Sequence, residues 1–314
     1  MRFLTKSSHA KKSSIKLSIK DRKLIQLLFQ NARTPITQLS KKVGVSKPAI
    51  IQKIHSLQKK GVLTNLVLLT KVNSNQLPIY LFEISTLTGA ENEKISEKLM
   101  KIEESITLFW YNGYYNLLIG FNTDKPQEIF EKIEEIIDIK KIRIRKIIDN
   151  WFHTPHVFND VPDKRVNFKR VIVKIDEKDR KILKALDENP LASFTEITTK
   201  TKFAIQTVKN HLDYLKNSGI IISNYFLPDV WLCDMEWISM NFIVKGKDET
   251  ERLIKYFLSI PGTGNIWEFD HEWNINVVLF VKEQFEVNKI INHVINNFKI
   301  LEYDISVLAA MMGK

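Results

Sequence analysis

Sliding the 314-residue chain against itself by 158 positions aligns its two halves without a gap. "KDRKLIQLL" from Lys20 meets "KDRKILKAL" from Lys178, Asn31 meets Asn189, Thr37 meets Thr195 and Leu57 meets Leu215. The match continues with Gly61 on Gly219, Ile84 on Phe242 and Asn116 on Asn274. A solenoid unit spans about 20 to 50 residues, so this period marks a domain pair written twice. Whatever the chain folds into must be assembled from two related copies.

Each copy has two parts. The first reads as three helices, Lys20 to Gln30, Thr37 to Lys42 and Lys47 to Lys60, repeated as Lys178 to Asp187, Thr195 to Thr201 and Ile205 to Asn217. Ile25, Leu28, Leu39, Val43, Ile50, Ile54 and Leu57 recur at helical spacing and are expected to enclose one small core. Gly44 suits a sharp turn before the third helix, Ser46 suits its N-cap, and Gly61 is expected to end it in the left-handed conformation. "VLTNLVLLTKV" and "IIISNYFLPDV" then read as extended wings. The second part alternates strand and helix in the order β-α-β-β-α-β, with a hairpin turning near Asn112 and Gly113, which is the ferredoxin-like signature. The fold class expected is α+β: two copies of a winged helix-turn-helix followed by a ferredoxin-like domain. The boundaries expected are a basic arm over 1–15, helix-turn-helix domains over 16–73 and 174–228, ferredoxin-like domains over 76–150 and 235–312, and a linker over 151–173.

Charge separates the parts. Residues 1–65 hold 15 Lys/Arg against the single acid Asp21, whereas the rest of the chain holds 32 against 35. A basic module of this kind suits a polyanion, nucleic acid before membrane. No apolar run approaches the roughly 18 residues of a membrane span, and the N-terminus lacks the apolar block of a secretory signal, so a cytoplasmic location is expected. Cys233 is the only cysteine, which excludes an internal disulfide and a thiolate zinc site. His153 and His156 in "HTPH" lack convincing partners, so no metal and no cofactor is expected, and "PGTGN" at Pro261 is a turn and not a phosphate loop.

With Ile50, Ile54 and Leu57 turned inward, the third helix is left with Pro48, Gln52, His55 and Lys59 on the opposite face, and Ile51 and Ser56 at its margins. That cylinder is narrow enough for a major groove. Gln52 suits adenine, Ile51 a thymine methyl, and Lys47, Lys53, Lys59 and Lys60 suit phosphates, with Arg33, Lys41 and Lys42 extending the positive surface beside Ser46. In the second copy the face reads Gln206, Asn210, Asp213 and Asn217, with Lys209 alongside, and residues 174–224 carry nine basic against seven acidic side chains. A weaker second head is expected.

The run from "SIKDRKLIQLL" through "NAR", "QLSKKVGVS" and "IHSLQKKGVLTN" resembles the winged helix-turn-helix of the leucine-responsive regulatory protein/AsnC family. The resemblance implies a transcription regulator that binds double-stranded DNA, followed by an effector-sensing, oligomer-forming domain. It covers nearly the whole chain, twice. It also implies an intramolecular pseudo-dimer with further homo-oligomerisation, and an effector pocket near Gly113, Tyr115, Asn116, His271, Trp273 and Asn274. The family's "G-x-Y-D" hairpin is altered: Asn116 and Asn274 replace the acid and His271 replaces the glycine, so amino-acid sensing is expected to be weakened. Siroheme decarboxylases resemble the same domain pair, which keeps a tetrapyrrole enzyme as the alternative. Its cavity would draw on His271, Trp267 and Trp273, or on Trp110, Tyr111, Tyr114 and Tyr115. A third reading is RNA binding through the N-terminal arm.

Overall fold

The computed structural model describes residues 3–5, 15–70, 78–89, 92–152, 175–229 and 231–313. His153, His156, the expected linker from Thr154 to Val171, and residues 6–14 of the expected arm lie outside these. The first copy contributes β1 (Phe3–Thr5), α1 (Ile19–Gln30), α2 (Ile36–Val43), α3 (Lys47–Lys59) and β2 (Leu63–Thr70). It continues with β3 (Ile79–Ser85), α4 (Glu93–Met100), β4 (Ser105–Asn112), β5 (Leu117–Asn122), α5 (Pro126–Glu134) and β6 (Lys141–Phe152). The second copy repeats this order as α6 (Glu177–Glu188), α7 (Phe194–Thr201), α8 (Ile205–Asn217) and β7 (Ile221–Pro228). Then follow β8 (Glu236–Val244), α9 (Lys247–Ser259), β9 (Thr263–Phe269), β10 (Ile275–Val281), α10 (Gln284–Asn297) and β11 (Ile300–Gly313). The chain divides into two compact units, each drawing on both copies: 16–76 with 158–233, and 1–15 with 77–157 and 234–314.

The first of these holds both helix-turn-helix modules. Ser18 starts α1 with a capping box, its hydroxyl accepting from the Asp21 N–H while the Asp21 carboxylate accepts from the Ser18 N–H. Asp176 and Asp179 do the same for α6. Gly44 takes a φ of 72° between α2 and α3, and Gly61 and Gly219, at 78° and 74°, close the third helices as expected. Lys202 occupies the position of Gly44 in the second copy at a φ of 61°, a conformation that strains a side chain. Ile25, Leu28, Leu39, Val43, Ile50 and Leu57 are buried together, while Ile54 is only half-buried. The wings pair with each other: β2 and β7 form an antiparallel ladder with Val67 opposite Tyr225. Leu68 from the first wing packs on the second module's core, and the Ala32 N–H donates to the Asn224 carbonyl at 2.6 Å.

The second unit keeps the β-α-β-β-α-β order in each copy but does not form two separate sheets. Its strands run β11-β4-β5-β3-β6-β9-β10-β8, and β8 pairs back to β11, closing an eight-stranded barrel. Two long strands make this possible. β6 pairs with β3 through Lys146 and then crosses to β9, with Trp151 opposite Ile266. β11 pairs with β8 through Val307 and then crosses to β4, with Met311 opposite Phe109. β1 lies along β11, with Phe3 opposite Met312, so part of the expected basic arm is a strand. Strand residues alternate in direction. Phe82 and Ile84 pack with Leu99, Met100, Ile129 and Ile133 of α4 and α5, and Met240 and Phe242 pack with Leu253, Phe257 and Val294 of α9 and α10. Glu83 and Asn241, one position along, therefore face the other side of the sheet, where a polar network sits.

Candidate nucleic-acid interface

The geometry of α3 follows from its cap and its buried stripe. The Ser46 hydroxyl accepts from the Ala49 N–H at 3.4 Å, Pro48 fits the first turn because no intrahelical N–H is required there, and Ile50 and Leu57 are buried. What remains outward is Pro48, Ile51, Gln52, His55, Ser56 and Lys59, with Ile51 46% exposed despite being a large apolar side chain. This is the face predicted from the sequence. Lys41, Lys42 and Lys47 are also exposed, and none of them, nor Lys59, forms an ion pair among the described residues. They surround the helix with positive charge that no described acid pairs.

Two cations leave this set. Lys53 is half-buried and binds Asp21 at 2.6 Å, tying α3 to the start of α1. Burial pushes the Asp21 carboxyl upward, but hydrogen bonds from Lys53 and Ser18 outweigh it and hold the group below its usual value. Arg33 donates from Nε and Nη2 to the Pro190 carbonyl at 3.1 and 2.6 Å, and from Nη2 to the Ala192 carbonyl at 3.2 Å. Its guanidinium joins the two modules and is not a free extension of the basic face. Ser46 likewise serves α3 as a cap.

On the second head, Gln206, Lys209, Asn210, Asp213 and Asn217 are all exposed on α8. Gln206 Nε2 donates to Asn210 Oδ1 at 2.9 Å, and the Lys209 ammonium stands 5.8 Å from the Phe194 ring centroid. Ala204, at the position of Ser46, offers no side-chain cap. Sequence reasoning passed over Ile205 and Tyr214, 47% and 42% exposed on the same helix. The signal was their spacing beside Gln206 and Asn210. His211 stands where Lys53 does, its Nδ1 2.7 Å from Asp179 Oδ1, so an imidazole–carboxylate contact replaces the first head's ammonium–carboxylate pair.

Four of the six effector candidates, Tyr115, Asn116, Trp273 and Asn274, are held by local structure. Asn116 Nδ2 donates to the Thr86 carbonyl and its Oδ1 accepts from the Thr86 N–H, both at 2.9 Å. Asn274 bridges Val244 in the same way, at 2.9 and 3.0 Å. A carboxylate can make only the accepting half of that contact, which accounts physically for the amide at both positions. A Cβ on Gly113 would collide with Ser306 Oγ. Tyr115 and Trp273, equivalent in the repeat, lie on the Arg143 guanidinium at 4.2 and 4.3 Å, and His271 is exposed. Trp110 belongs to the helix-covered core, where its Nε1 donates to Ser96 Oγ at 2.8 Å, whereas Tyr111 faces Ser239 within the barrel. The aromatic run expected to line one cavity is thus split between the two faces of β4. Cys233 is buried, and burial raises its thiol pKa.

Residues 17–58 match the AsnC-type helix-turn-helix domain, and residues 175–222 match a winged helix-turn-helix DNA-binding domain. An uncharacterised HTH-type transcriptional regulator of Pyrococcus horikoshii is 31% identical over 124 residues, which are 39% of this chain and 78% of that protein. The HTH-type transcriptional regulator LrpA of the same organism is 28% identical over 128 residues, 41% of this chain and 86% of LrpA. The siroheme decarboxylase NirDL superposes with a TM-score of 0.57 at 12% identity, covering 92% of this chain and 90% of that one, which shows a shared fold. No described helix is long and apolar enough to cross a membrane.

Proposed function

The chain belongs to the leucine-responsive regulatory protein/AsnC family of DNA-binding transcription regulators, and on that premise we propose that it reads duplex DNA chiefly through α3. The observation that carries this is the outward face of α3, where an amide, an imidazole and an apolar side chain lie within a ring of lysines that form no ion pair among the described residues. Gln52 and His55 read base edges in the major groove, Ile51 meets a thymine methyl, and Lys41, Lys42, Lys47 and Lys59 bind phosphates. On α8, Gln206, Lys209 and Asn210 make weaker contacts, because Asp213 on the same face repels phosphate. Each half of the barrel is a ferredoxin-like domain, and the two halves pair as subunits would. The preferred site is two dissimilar half-sites about one helical turn, or a multiple of it, apart. Free amino acids are poor effectors, since Asn116 and Asn274 are committed to Thr86 and Val244. The protein works in the cytoplasm without a cofactor.

Selection from random duplexes, followed by anisotropy titrations over a range of salt, tests the proposal. Gln52→Ala should relax preference at one base position by roughly 1–3 kcal/mol, about 5- to 150-fold. Lys47→Ala should weaken all sequences alike and lower the salt slope by about 1. A Gln52→Ala protein with unchanged preference and affinity refutes the assignment of α3. The shape match to NirDL along nearly the whole chain supports a second reading, a tetrapyrrole enzyme. Spectral titration with an iron uroporphyrin decides it, since saturable binding at micromolar concentration favours that reading.

A further inference from the structure

We infer that the inner faces of the two half-barrels accept each other and reject a second copy of themselves, so that every barrel holds one half from each copy. This rests on the barrel alone and not on the DNA reading. Strand register fixes the equivalences. Glu83 is opposite Arg143 and Leu81 opposite Arg145, while Asn241 is opposite Asp304 and Ser239 opposite Ser306. Glu83 and Leu81 correspond to Asn241 and Ser239 at the 158-residue offset, and the same pairing makes Asp304 the equivalent of Arg143 and Ser306 that of Arg145 at an offset of 161, so the second copy gains three residues before this part of β11 and the gapless alignment does not extend into it. Unlike residues thus stand at like positions.

The bonds between the copies use that difference. Arg143 donates from Nε to Glu83 Oε2 at 2.7 Å and from Nη2 across to Asp304 Oδ2 at 3.0 Å. Arg145 Nη2 is 2.6 Å from Glu83 Oε1 and donates across to Asn241 Oδ1 at 3.0 Å, and its Nη1 donates to the Trp273 carbonyl at 3.0 Å. Asn241 Nδ2 donates to Asp304 Oδ1 at 2.8 Å and to Glu83 Oε1 at 3.1 Å. Burial draws the Arg145 pKa down to about 10 against the pull of Glu83, which leaves it a cation at neutral pH.

Glu83, Arg143 and Arg145 give the first copy's inner face a net charge of +1, and Asp304 gives the second copy's face −1. Together they are neutral. Two first-copy faces would enclose two excess positive charges with Arg143 against Arg143, and two second-copy faces two negative charges with Asp304 against Asp304. Glu83, Arg143 and Arg145 are 3%, 6% and 0% exposed, so water cannot screen the mismatch of two first-copy faces, whereas Asp304, 27% exposed, is screened in part. Shape adds to charge. Gly113 of the first copy approaches Ser306 of the second so closely that a Cβ there would collide, and its equivalent is His271. Pairing two second-copy halves would set His271 against Ser306 where only glycine fits.

To test this, a protease site is placed between Asp160 and Asp163 and the folded chain is cut. Isotope-labelled and unlabelled batches are mixed in dilute denaturant, and native mass spectrometry counts the partners. New pairs should join a first half to a second half, with like pairs rarer than roughly one in a hundred, as expected for an uncompensated buried charge. Like pairs in comparable number overturn the inference. Where the halves do not exchange, the uncut chain decides. Asp304→Arg should lower the folded-to-unfolded ratio at least about tenfold, and the exchange E83N/R143D/N241E/D304R, which passes the charges of Glu83, Arg143 and Asp304 across the seam, leaves Arg145 in place and keeps the barrel neutral, should recover most of that loss. A neutral Asp304→Arg, or a fourfold variant that recovers nothing, also overturns it.

Discussion

Asn116→Asp changes one nitrogen to an oxygen and should reveal what that side chain does. The wild-type amide donates to the Thr86 carbonyl and accepts from the Thr86 N–H, and its Nδ2 also lies 3.4 Å from the Thr88 carbonyl. An aspartate keeps the accepted bond, loses the donor, and sets a negative oxygen about 2.9 Å from a carbonyl oxygen. An orphaned buried acceptor costs about 1–3 kcal/mol. Asn116 is half-buried, which places the loss near 1–2 kcal/mol, or about 5- to 30-fold in the folded-to-unfolded ratio. Protonation restores the donor, so the folded-state pKa of the introduced carboxyl must lie above its unfolded value of about 3.9. The deficit therefore grows as pH rises through the folded pKa and closes below the unfolded one. Urea unfolding at pH 7 and pH 3, followed by tryptophan fluorescence and compared with wild type at each pH, measures both ends. A variant within about 0.5 kcal/mol of wild type at pH 7, or a deficit that deepens in acid, refutes the bridging role. Asn274→Asp should behave alike against Val244.

Lys202→Gly should stabilise the chain by about 0.5–1 kcal/mol, because glycine takes the 61° φ without strain; a loss in the urea midpoint contradicts this. Arg33→Ala removes the donors that hold the Pro190 and Ala192 carbonyls and should cost about 1–3 kcal/mol in the same assay, with Arg33→Lys intermediate. Asp213→Asn removes the acid from the α8 face and should tighten binding to nonspecific duplex at low salt by roughly 2- to 5-fold, fading as salt rises. Unchanged affinity there means that α8 does not approach phosphate.

The helical modules were legible because their signals are local. Ile50 and Leu57 mark the inner side of α3 by spacing alone, and the residues between them had to face out. Gly44, Gly61 and Ser46 declared the turn, the stop and the cap. The seams of the barrel were not legible. β6 runs to Phe152, past the start of the expected linker, and β11 runs to Gly313, but their last residues are ordered by β9 and β4, more than a hundred positions away. Lys53 and Lys47 look alike in one dimension. Only the arrival of Asp21 from α1 separates the one that braces the fold from the one with no ion pair among the described residues. The partners of Arg33 were hidden for the same reason, since Pro190 and Ala192 reach it from the other copy.

The crossing of β11 onto β4 also sets a timetable. Once β4 leaves the ribosome, roughly two hundred more residues must be made before its partner exists, which at about 5–20 residues per second takes on the order of 10–40 s. Throughout that wait the nascent chain carries a bare strand edge, the kind of surface that recruits neighbours into aggregates. Synthesis rate and chaperone supply, as much as final stability, then govern how much of this protein a cell recovers.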